Sequence, residues 1–286
     1  MASPVMKEAK GDGVKIALAL WEGAGKTVLC VHGLTANCRC WDAVAESLFG
    51  RHRVLAVDLR GRGFSQKPSS GYSVDHHVRD LICLMDDLKL ATAVIAGHSL
   101  GATIALAAAA AHSERIEGVI LVDGAGTLST EQMGRVFAGI KPSLDRLGKV
   151  FPSFEEYKGQ LRKAPFLDPW SGYLETYFRY EVEEVDGGVR SRVEPGTIAE
   201  EIENMKGLDV ARFYPAVACP VLIVRAPCGM LADDDILLPE GAIQRMLREI
   251  PDARRADVPG ANHYSIVLGE SRVRDDAILA FLDSLG

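Results

Sequence analysis

The 286-residue sequence lacks the excess of positive charge that nucleic-acid-binding proteins carry. It has 32 lysines and arginines against 39 aspartates and glutamates, which gives a formal net charge of −7. A protein that binds nucleic acid needs clustered positive charge to replace the counterions of the phosphates. The acidic balance therefore argues against a nucleic-acid partner.

Long apolar segments are also missing. The longest apolar stretch, Ala102–Ala111, is too short and too rich in alanine to span a bilayer. A secretory signal has a charged head followed by an apolar run, and the first ten residues lack this pattern. We therefore expect a cytoplasmic protein with no membrane partner.

Cysteines are few and scattered. Cys38 and Cys40 lie close together, but no second group of cysteine or histidine completes a zinc-binding set. Cys30, Cys83 and Cys219 lie in or beside apolar runs, where a cysteine behaves as a small hydrophobic residue. The sequence predicts reduced thiols and no metal site.

The sequence does contain an alternation of short apolar runs and helical patterns. The runs are Lys15–Trp21, Thr27–Val31, Arg53–Leu59, Ala93–Ala96, Gly118–Val122, Val221–Arg225 and the weaker Arg255–Val258. The middle runs are continuously apolar, as is typical of parallel strands covered on both faces. Helical patterns between them include one that begins after Asp75, a plausible N-cap, and the segment Leu100–Ala111. This alternation predicts an α/β fold with a mostly parallel sheet flanked by helices.

The alternation breaks between residues 128 and 215. The helical patterns of this stretch are Thr130–Gly139, Phe154–Leu161 and Thr197–Met205, and it contains no recognisable strand of the main sheet. Strand signals return at Cys219, which favours an insertion over the carboxyl edge of the sheet rather than an independent second domain. We expect a core of residues 1–127 and 216–286 with a helical cap over residues 128–215.

The segment Gly97-His98-Ser99-Leu100-Gly101 lies directly after an apolar strand run and directly before a helical pattern. A serine on such a tight turn needs small neighbours, and the two glycines provide room. The helix N-terminus offers amides and a positive dipole end to a developing oxyanion. This context favours Ser99 as a catalytic nucleophile over a structural Gly–Ser turn.

A serine hydroxyl needs an adjacent base. Of the seven histidines, only His263 lies in a loop directly after the last predicted strand, and such a loop returns to the edge of the sheet near Ser99. His263 is therefore the predicted base, whereas His32 at the end of an early strand is expected to be structural. The backbone amides of Leu34 and Leu100 are the predicted oxyanion donors.

Two places in the sequence are candidates for the acid that orients the imidazole. The first is the loop after the sixth strand run, which contains Asp233, Asp234 and Asp235. The second is Asp123, which directly follows the fifth strand run. The sequence slightly favours Asp235 over Asp123 and gives less weight to Asp233 and Asp234.

Together these motifs resemble the α/β-hydrolase superfamily, in its cap-bearing branch of esterases, lactonases and carbon–carbon hydrolases. The matching segments are Val31-His32-Gly33, Asp58-Leu59-Arg60-Gly61-Arg62-Gly63-Phe64-Ser65, Gly97-His98-Ser99-Leu100-Gly101, Leu121-Val122-Asp123, Pro220-Val221-Leu222-Ile223-Val224 and Asn262-His263-Tyr264. The resemblance implies catalytic roles for Ser99 and His263, oxyanion donation by Leu34 and Leu100, and a helical cap. The loop Ala226–Pro239 is longer than usual for the family, which leaves the acid open.

The nucleophile and its surroundings narrow the expected activity. A serine at position 99 argues against epoxide hydrolases and haloalkane dehalogenases, which attack with a carboxylate. Leu34-Thr35-Ala36-Asn37 lacks the glycine-rich continuation of many carbon–carbon hydrolases. We expect cofactor-free hydrolysis of a carboxylic ester of a small or medium-sized substrate through an acyl-enzyme.

Two alternatives stay open. The same residues could cleave a lactone, an amide or a carbon–carbon bond, or the protein could bind a ligand with little turnover. Four aromatic residues of the expected cap, Trp170, Tyr173, Tyr177 and Phe178, are candidates to line an apolar pocket. Ordinary packing between cap and core is the alternative role for each of them.

Overall fold

A computed structural model describes residues 3–286 and shows a sheet of eight strands at the centre of the protein. The strands of the chain are β1 (Val5–Lys10), β2 (Lys15–Trp21), β3 (Thr27–Val31), β4 (Arg53–Val57), β5 (Ala93–His98), β6 (Ile116–Val122), β7 (Val150–Phe151), β8 (Val182–Val185), β9 (Gly188–Ser191), β10 (Val221–Arg225) and β11 (Ala253–Asp257). The central sheet has the order β1-β2-β4-β3-β5-β6-β10-β11. Neighbours from β4 to β11 are parallel, whereas β1 and β2 add antiparallel strands at one edge.

The inner strands are apolar along their length because helices cover both faces of the sheet. Every residue of β5 is buried, and so are four of the five residues of β3 and of β10. The predicted α/β fold with a mostly parallel sheet is confirmed. The sequence does not predict strand β1. Only Ala9 is buried in this edge strand, and the strand contains no apolar run.

From residue 3 onward, six α-helices flank the central sheet in two layers, and four more lie between β6 and β10. The α-helices are α1 (Asp42–Leu48), α2 (Val74–Asp87), α3 (Leu100–Ala111), α4 (Thr130–Asp145), α5 (Phe154–Leu161), α6 (Gly172–Glu181), α7 (Pro195–Met205), α8 (Glu240–Glu249), α9 (Ser265–Leu268) and α10 (Arg272–Asp283). Helices α2, α3 and α8 contribute to the hydrophobic cluster on one face, and α1, α9 and α10 to the cluster on the other. No helix within residues 3–286 has the length and apolar character needed to cross a membrane.

Helix α2 begins earlier than the sequence pattern indicated. Its N-cap is Ser73, whose side chain accepts a hydrogen bond from the amide of His76, and not Asp75. Asp75 lies in the first turn, where its charge complements the helix dipole.

The segment between β6 and β10 forms the insertion, which comprises α4 to α7 and a small antiparallel sheet. This sheet has the order β7-β9-β8, so the predicted purely helical character is incomplete. A 3-10 helix, Val210–Ala216, follows α7 and packs on the core through Ala211 and Tyr214. The chain therefore rejoins the core before the predicted boundary at residue 216.

Candidate active site

Ser99 lies on the turn between β5 and α3. Its backbone has φ 57°, a left-handed conformation that is uncommon for any residue except glycine and is often found at functional sites. A Cβ on Gly101 would lie 2.1 Å from the carbonyl oxygen of Val31, and one on Gly97 would lie 2.1 Å from the carbonyl oxygen of Gly101. Both flanking positions therefore require glycine, as the sequence analysis expected.

His263 contacts both Ser99 and an aspartate. Its Nε2 lies 3.1 Å from Ser99 Oγ, and its Nδ1 lies 2.8 Å from Asp123 Oδ2. The other oxygen of Asp123 accepts a hydrogen bond from the amide of Ala226 at 3.1 Å. All three groups lie at the carboxyl ends of the parallel strands β5, β6 and β11, which brings residues that are far apart in sequence together.

The structure corrects the preference for Asp235. Its carboxylate accepts hydrogen bonds from the backbone amides of Met230, Leu231 and Ala232, so it stabilises its own loop. It also faces helix α4, since a Cβ on Gly139 would lie 2.9 Å from Asp235 Oδ2. The carboxylate beside the imidazole is that of Asp123.

The other two aspartates of this loop point to solvent. Asp234 forms an ion pair with Arg135 at 2.7 Å on the surface, and Asp233 is exposed. Neither contacts His263. The long loop therefore packs against the insertion instead of supplying the acid.

A second histidine holds the loop that carries His263. His98 Nε2–H donates to the carbonyl oxygen of His263 at 2.8 Å, and the two rings lie 4.6 Å apart. Burial lowers the pKa of His98 well below the usual range, so the ring stays neutral. The sequence analysis did not assign this role, although His98 lies directly before the serine.

His32 orients the peptide that carries the Leu34 amide. Leu59 N–H donates to His32 Nε2 at 3.0 Å, so Nδ1 carries the proton and donates to the carbonyl oxygen of Gly33 at 2.7 Å. Burial lowers the pKa of His32 to about 3, which keeps the ring neutral. The Gly33–Leu34 peptide is trans, so fixing its carbonyl oxygen also fixes the opposite direction of the Leu34 N–H.

The two predicted oxyanion amides are available to a ligand. Within residues 3–286 the N–H of Leu34 donates no hydrogen bond, and Leu100 is the first residue of α3, so its N–H has no acceptor within the helix. Gly33 lies against the serine, since a Cβ at this position would be 3.1 Å from Ser99 Cβ. The loop that carries the Leu34 amide therefore lies beside Ser99, and Leu100 directly follows the serine.

Two buried arginines hold the next two carbonyl groups of this loop. Arg62 Nε donates to the carbonyl oxygen of Leu34 at 3.1 Å, and Arg146 Nη2 donates to that of Thr35 at 3.4 Å. Each arginine is paired with a buried glutamate of the insertion. The distance is 2.9 Å from Arg62 to Glu201 and 2.8 Å from Arg146 to Glu181.

Glu201 is the centre of a buried cluster. Its Oε2 also lies 2.8 Å from His77 Nε2, and none of the three side chains is exposed. Burial alone would raise the pKa of Glu201, but His77 and Arg62 lower it to about 2. The insertion is thereby anchored by charge to the loop of the oxyanion amides.

A cavity of about 660 Å³ opens beside Ser99 and His263. Its wall is mainly apolar and combines the core with the insertion. The apolar lining includes Leu34, Ile140, Phe151, Leu161, Phe166, Leu167, Val267 and Leu268. This size and character suit a small organic molecule.

The four aromatic candidates divide evenly between the two expected roles. Tyr177 and Phe178 line the cavity. Trp170 stacks on Phe178 with the ring centres 5.5 Å apart, and the hydroxyl of Tyr173 donates to Glu46 at 2.6 Å. Trp170 therefore packs on a residue of the cavity wall, and Tyr173 joins the insertion to α1 of the core.

Groups of metal-binding side chains are absent from the described part of the chain. No three residues of histidine, cysteine, aspartate and glutamate cluster there in a way that could hold a metal ion. The six cysteines are unpaired, and Cys30, Cys38, Cys40 and Cys219 are buried.

The model of the alpha/beta hydrolase family matches residues 28–275 of the chain. The protein belongs to this family. Among curated relatives of this α/β hydrolase, the 2-(acetamidomethylene)succinate hydrolase of Mesorhizobium japonicum is 29% identical over 248 residues, 85% of this chain and 83% of the relative. A candidate carbamate hydrolase of Klebsiella pneumoniae, RutD, is 26% identical over 251 residues, 87% of this chain and 88% of the relative.

Solved structures agree with the assignment. The crystal structure of E-2-(acetamidomethylene)succinate hydrolase superposes on this α/β hydrolase with a TM-score of 0.84 and 25% identity, covering 98% of this chain and 99% of the other. These similarities support hydrolase activity. They do not select one scissile bond, because the relatives are named as hydrolases of different substrates.

Sequence reasoning missed the groups that orient the site of this α/β hydrolase. Arg62 lies in a segment that resembles the family, but nothing in the sequence pairs it with Glu201, 139 residues away. Arg146 and Glu181 both lie in the insertion, where no motif marked them. A long-range pairing of buried charges leaves no periodic signal in a single sequence.

Proposed function

We propose that the protein hydrolyses a carboxylic ester of a small or medium-sized molecule through an acyl-enzyme on Ser99. The observation that carries this proposal is the continuous contact from Ser99 Oγ through His263 to Asp123 at the wall of the cavity. Such a contact chain activates a hydroxyl that is otherwise a weak nucleophile.

The proposed path of the proton follows these contacts. His263 Nδ1–H donates to Asp123, so the unprotonated Nε2 accepts the Ser99 proton as Oγ attacks the acyl carbon. The imidazolium then returns this proton to the leaving group, and the C–O bond of the ester breaks. Water repeats the sequence on the acyl-enzyme, which releases the acid and restores the Ser99 hydroxyl.

The amides of Leu34 and Leu100 are proposed to stabilise the oxyanion of each tetrahedral intermediate. Their value depends on being oriented before the reaction, because reorientation during the reaction costs free energy. His32, Arg62 and Arg146 supply this orientation through the carbonyl oxygens of the loop.

An acylated nitrogen is the second candidate for the scissile bond. It is favoured by the similarity to the 2-(acetamidomethylene)succinate hydrolase, whose substrate name contains an acetamido group, over most of both chains. The same proton path would then serve an amine leaving group, which needs protonation by His263 more than an alcohol does.

A matched pair of chromogenic substrates tests the proposal and separates the two bonds. We would assay p-nitrophenyl butyrate and N-butyryl-p-nitroaniline, which share the acyl group, with the wild type and S99A. Labelling by a fluorophosphonate would count the reactive serines. A lactone and a dienoate ketone would complete the panel for the remaining alternatives.

We expect turnover of the ester by the wild type, loss of that turnover in S99A, and labelling at one residue. Faster turnover of the anilide, relative to its uncatalysed rate, would move the assignment to amide hydrolysis. A folded protein that neither turns over any substrate nor reacts with the fluorophosphonate would contradict the Ser99 mechanism and favour a binding protein.

A further inference from the structure

Positively charged side chains outnumber carboxylates in the wall of the cavity. In addition to the site histidines, the lining contains Arg146, Lys149, Lys163 and a single carboxylate, that of Asp145. Lys149, Lys163 and Asp145 are exposed and so form the charged rim of the cavity. The apolar lining extends from this rim toward Ser99.

Most charges near the rim already have partners. Asp145 is paired with Lys141, one turn earlier on α4, and Arg146 is paired with Glu181, which does not line the cavity. The two lysines differ in this respect. Within residues 3–286, neither Lys149 nor Lys163 forms an ion pair, and the only side-chain hydrogen bond is from Lys163 to Gln160 at 3.0 Å.

Two unpaired cations at the rim of a single cavity stand out on a protein with a formal net charge of −7. Lys149 follows the end of α4, and Lys163 follows the end of α5. They approach the rim from two separate elements of the insertion. Both lysines line the same cavity, and the one carboxylate in that lining, Asp145, is already paired with Lys141.

We propose that Lys149 and Lys163 form an anion-binding rim, so that the substrate carries a carboxylate or a phosphate at the end remote from the scissile bond. This inference rests on the proposed function, because it names the substrate class of the same site. The apolar wall binds the middle of the molecule, and the two lysines bind its charged end. Both lysines are determinants of specificity and take no part in the proton transfers at Ser99.

Coulomb attraction between exposed charges is modest and depends on salt. An exposed pair contributes roughly 0.2–1 kcal/mol, which corresponds to about 1.4- to 5-fold in affinity for each lysine. Screening over a Debye length of about 8 Å at physiological salt weakens it further. The expected signature is therefore a preference for anionic substrates of about 2- to 20-fold that decreases as salt is added.

Isosteric esters test the charge alone. We would measure kcat/KM for the mono-p-nitrophenyl esters of glutarate, adipate and suberate beside the corresponding terminal amides, which are uncharged and nearly the same shape. The 4-phosphonobutanoate ester would distinguish a phosphate-type anion from a carboxylate. The enzymes would be the wild type, the K149Q/K163Q double variant and K158Q.

K158Q is the matched control. Lys158 belongs to the insertion but is paired with Glu155 and Glu175 and does not line the cavity. We expect K149Q/K163Q to lower kcat/KM for the anionic esters through a higher KM, so that the ratio of kcat/KM between anionic and amide esters approaches one. K158Q should preserve the preference.

Equal turnover of anionic and amide esters by the wild type would overturn the proposal and leave the proposed hydrolysis intact. The same holds for a preference that the double variant retains. If no ester is turned over, the proposed ester hydrolysis fails, but the rim is still tested by competition. Glutarate, adipate or suberate should then slow fluorophosphonate labelling of Ser99, or slow the thermal unfolding of the protein, more than their diamides do. Equal effects of the anions and the diamides would refute the anion-binding rim.

Discussion

Glu201 of the insertion and Arg62 of the core meet at 2.9 Å with neither side chain exposed. A buried ion pair adds little stability compared with an apolar pair, but removing one partner leaves an unpaired buried charge. Because Arg62 also holds the carbonyl oxygen of Leu34, this contact connects the anchoring of the insertion to the geometry of the oxyanion amides.

We predict that E201Q lowers the free energy of unfolding by about 3–5 kcal/mol, because Arg62 loses its counter-charge. Activity of the folded fraction should fall through kcat more than through KM, since the Leu34 amide is less well oriented. Urea unfolding and steady-state kinetics would measure both. The control is E203Q, which removes an exposed carboxylate of the same helix paired with Lys206 and should change stability by less than about 0.5 kcal/mol.

The identity of the acid gives a second prediction. D123N should lower kcat by about 10⁴-fold, because the amide cannot hold His263 in the required tautomer. D235N should retain most of the activity and lose stability instead, since Asp235 accepts three backbone amides of its own loop. Kinetics and thermal unfolding of both variants would decide, and the reverse pattern would restore Asp235 as the acid.

Buried neutral histidines make stability depend on pH. The pKa of His32 is lowered to about 3 and that of His98 lies well below the usual range, whereas the unfolded chain binds a proton at each near pH 6.5. Their contribution is therefore present above pH 6.5 and is lost as the pH falls toward 3, by at most about 1.4 kcal/mol per pH unit for each histidine. The buried carboxyl of Asp58, whose raised pKa favours the folded state in acid, offsets part of this loss.

Urea unfolding between pH 7.5 and pH 5 would measure this dependence. The wild type should lose stability across the range, and H98Q should lose less, because one neutral histidine is gone while the glutamine can still donate to the carbonyl oxygen of His263. H112Q, at the end of α3, should follow the wild type. A slope in H98Q as steep as that of the wild type would show that His98 is not a source of the dependence.

Two glycines of helices should respond in opposite directions to the same change. G134A, in the exposed part of α4, should raise stability by roughly 0.5–1 kcal/mol, because no atom lies within 4 Å of the added Cβ and alanine favours the helix. G101A should prevent stable folding or displace the Ser99 turn, since its Cβ would lie 2.1 Å from the carbonyl oxygen of Val31. Thermal unfolding and fluorophosphonate labelling would measure the two effects.

The sequence predicted those features that local pattern determines. The continuous apolar strands, the helix after Ser99 and the return of the His263 loop follow from periodicity and from the requirement for glycine at tight turns. The choice of acid did not follow, because Asp123 and Asp235 each lie after a strand of the sheet, and only the folded structure shows which carboxylate contacts His263. Asp235 lies in a loop of the expected position, but its carboxylate is used by neighbouring amides.

Other omissions have similar causes. The sequence does not predict helix α8, which buries only Ala242, Ile243 and Met246. The aromatic residues of α6 predict a pocket wall, and no helical pattern is predicted over Gly172–Glu181. The small sheet of the insertion has strands of two to four residues, too short to show alternation.

The pairing of Glu201 with Arg62 also limits how the family architecture can be varied in this protein. The two ends of the insertion meet at the core, where the Tyr214 hydroxyl donates to the carbonyl oxygen of Ala125 at 2.6 Å, so a replacement segment could be joined there with little change to the sheet. Its compatibility would depend on charge as well as length. A chimaera that presents no carboxylate to Arg62 would leave this buried arginine without its counter-charge beside the carbonyl oxygen of Leu34, so the insertion and that loop must be exchanged as one unit.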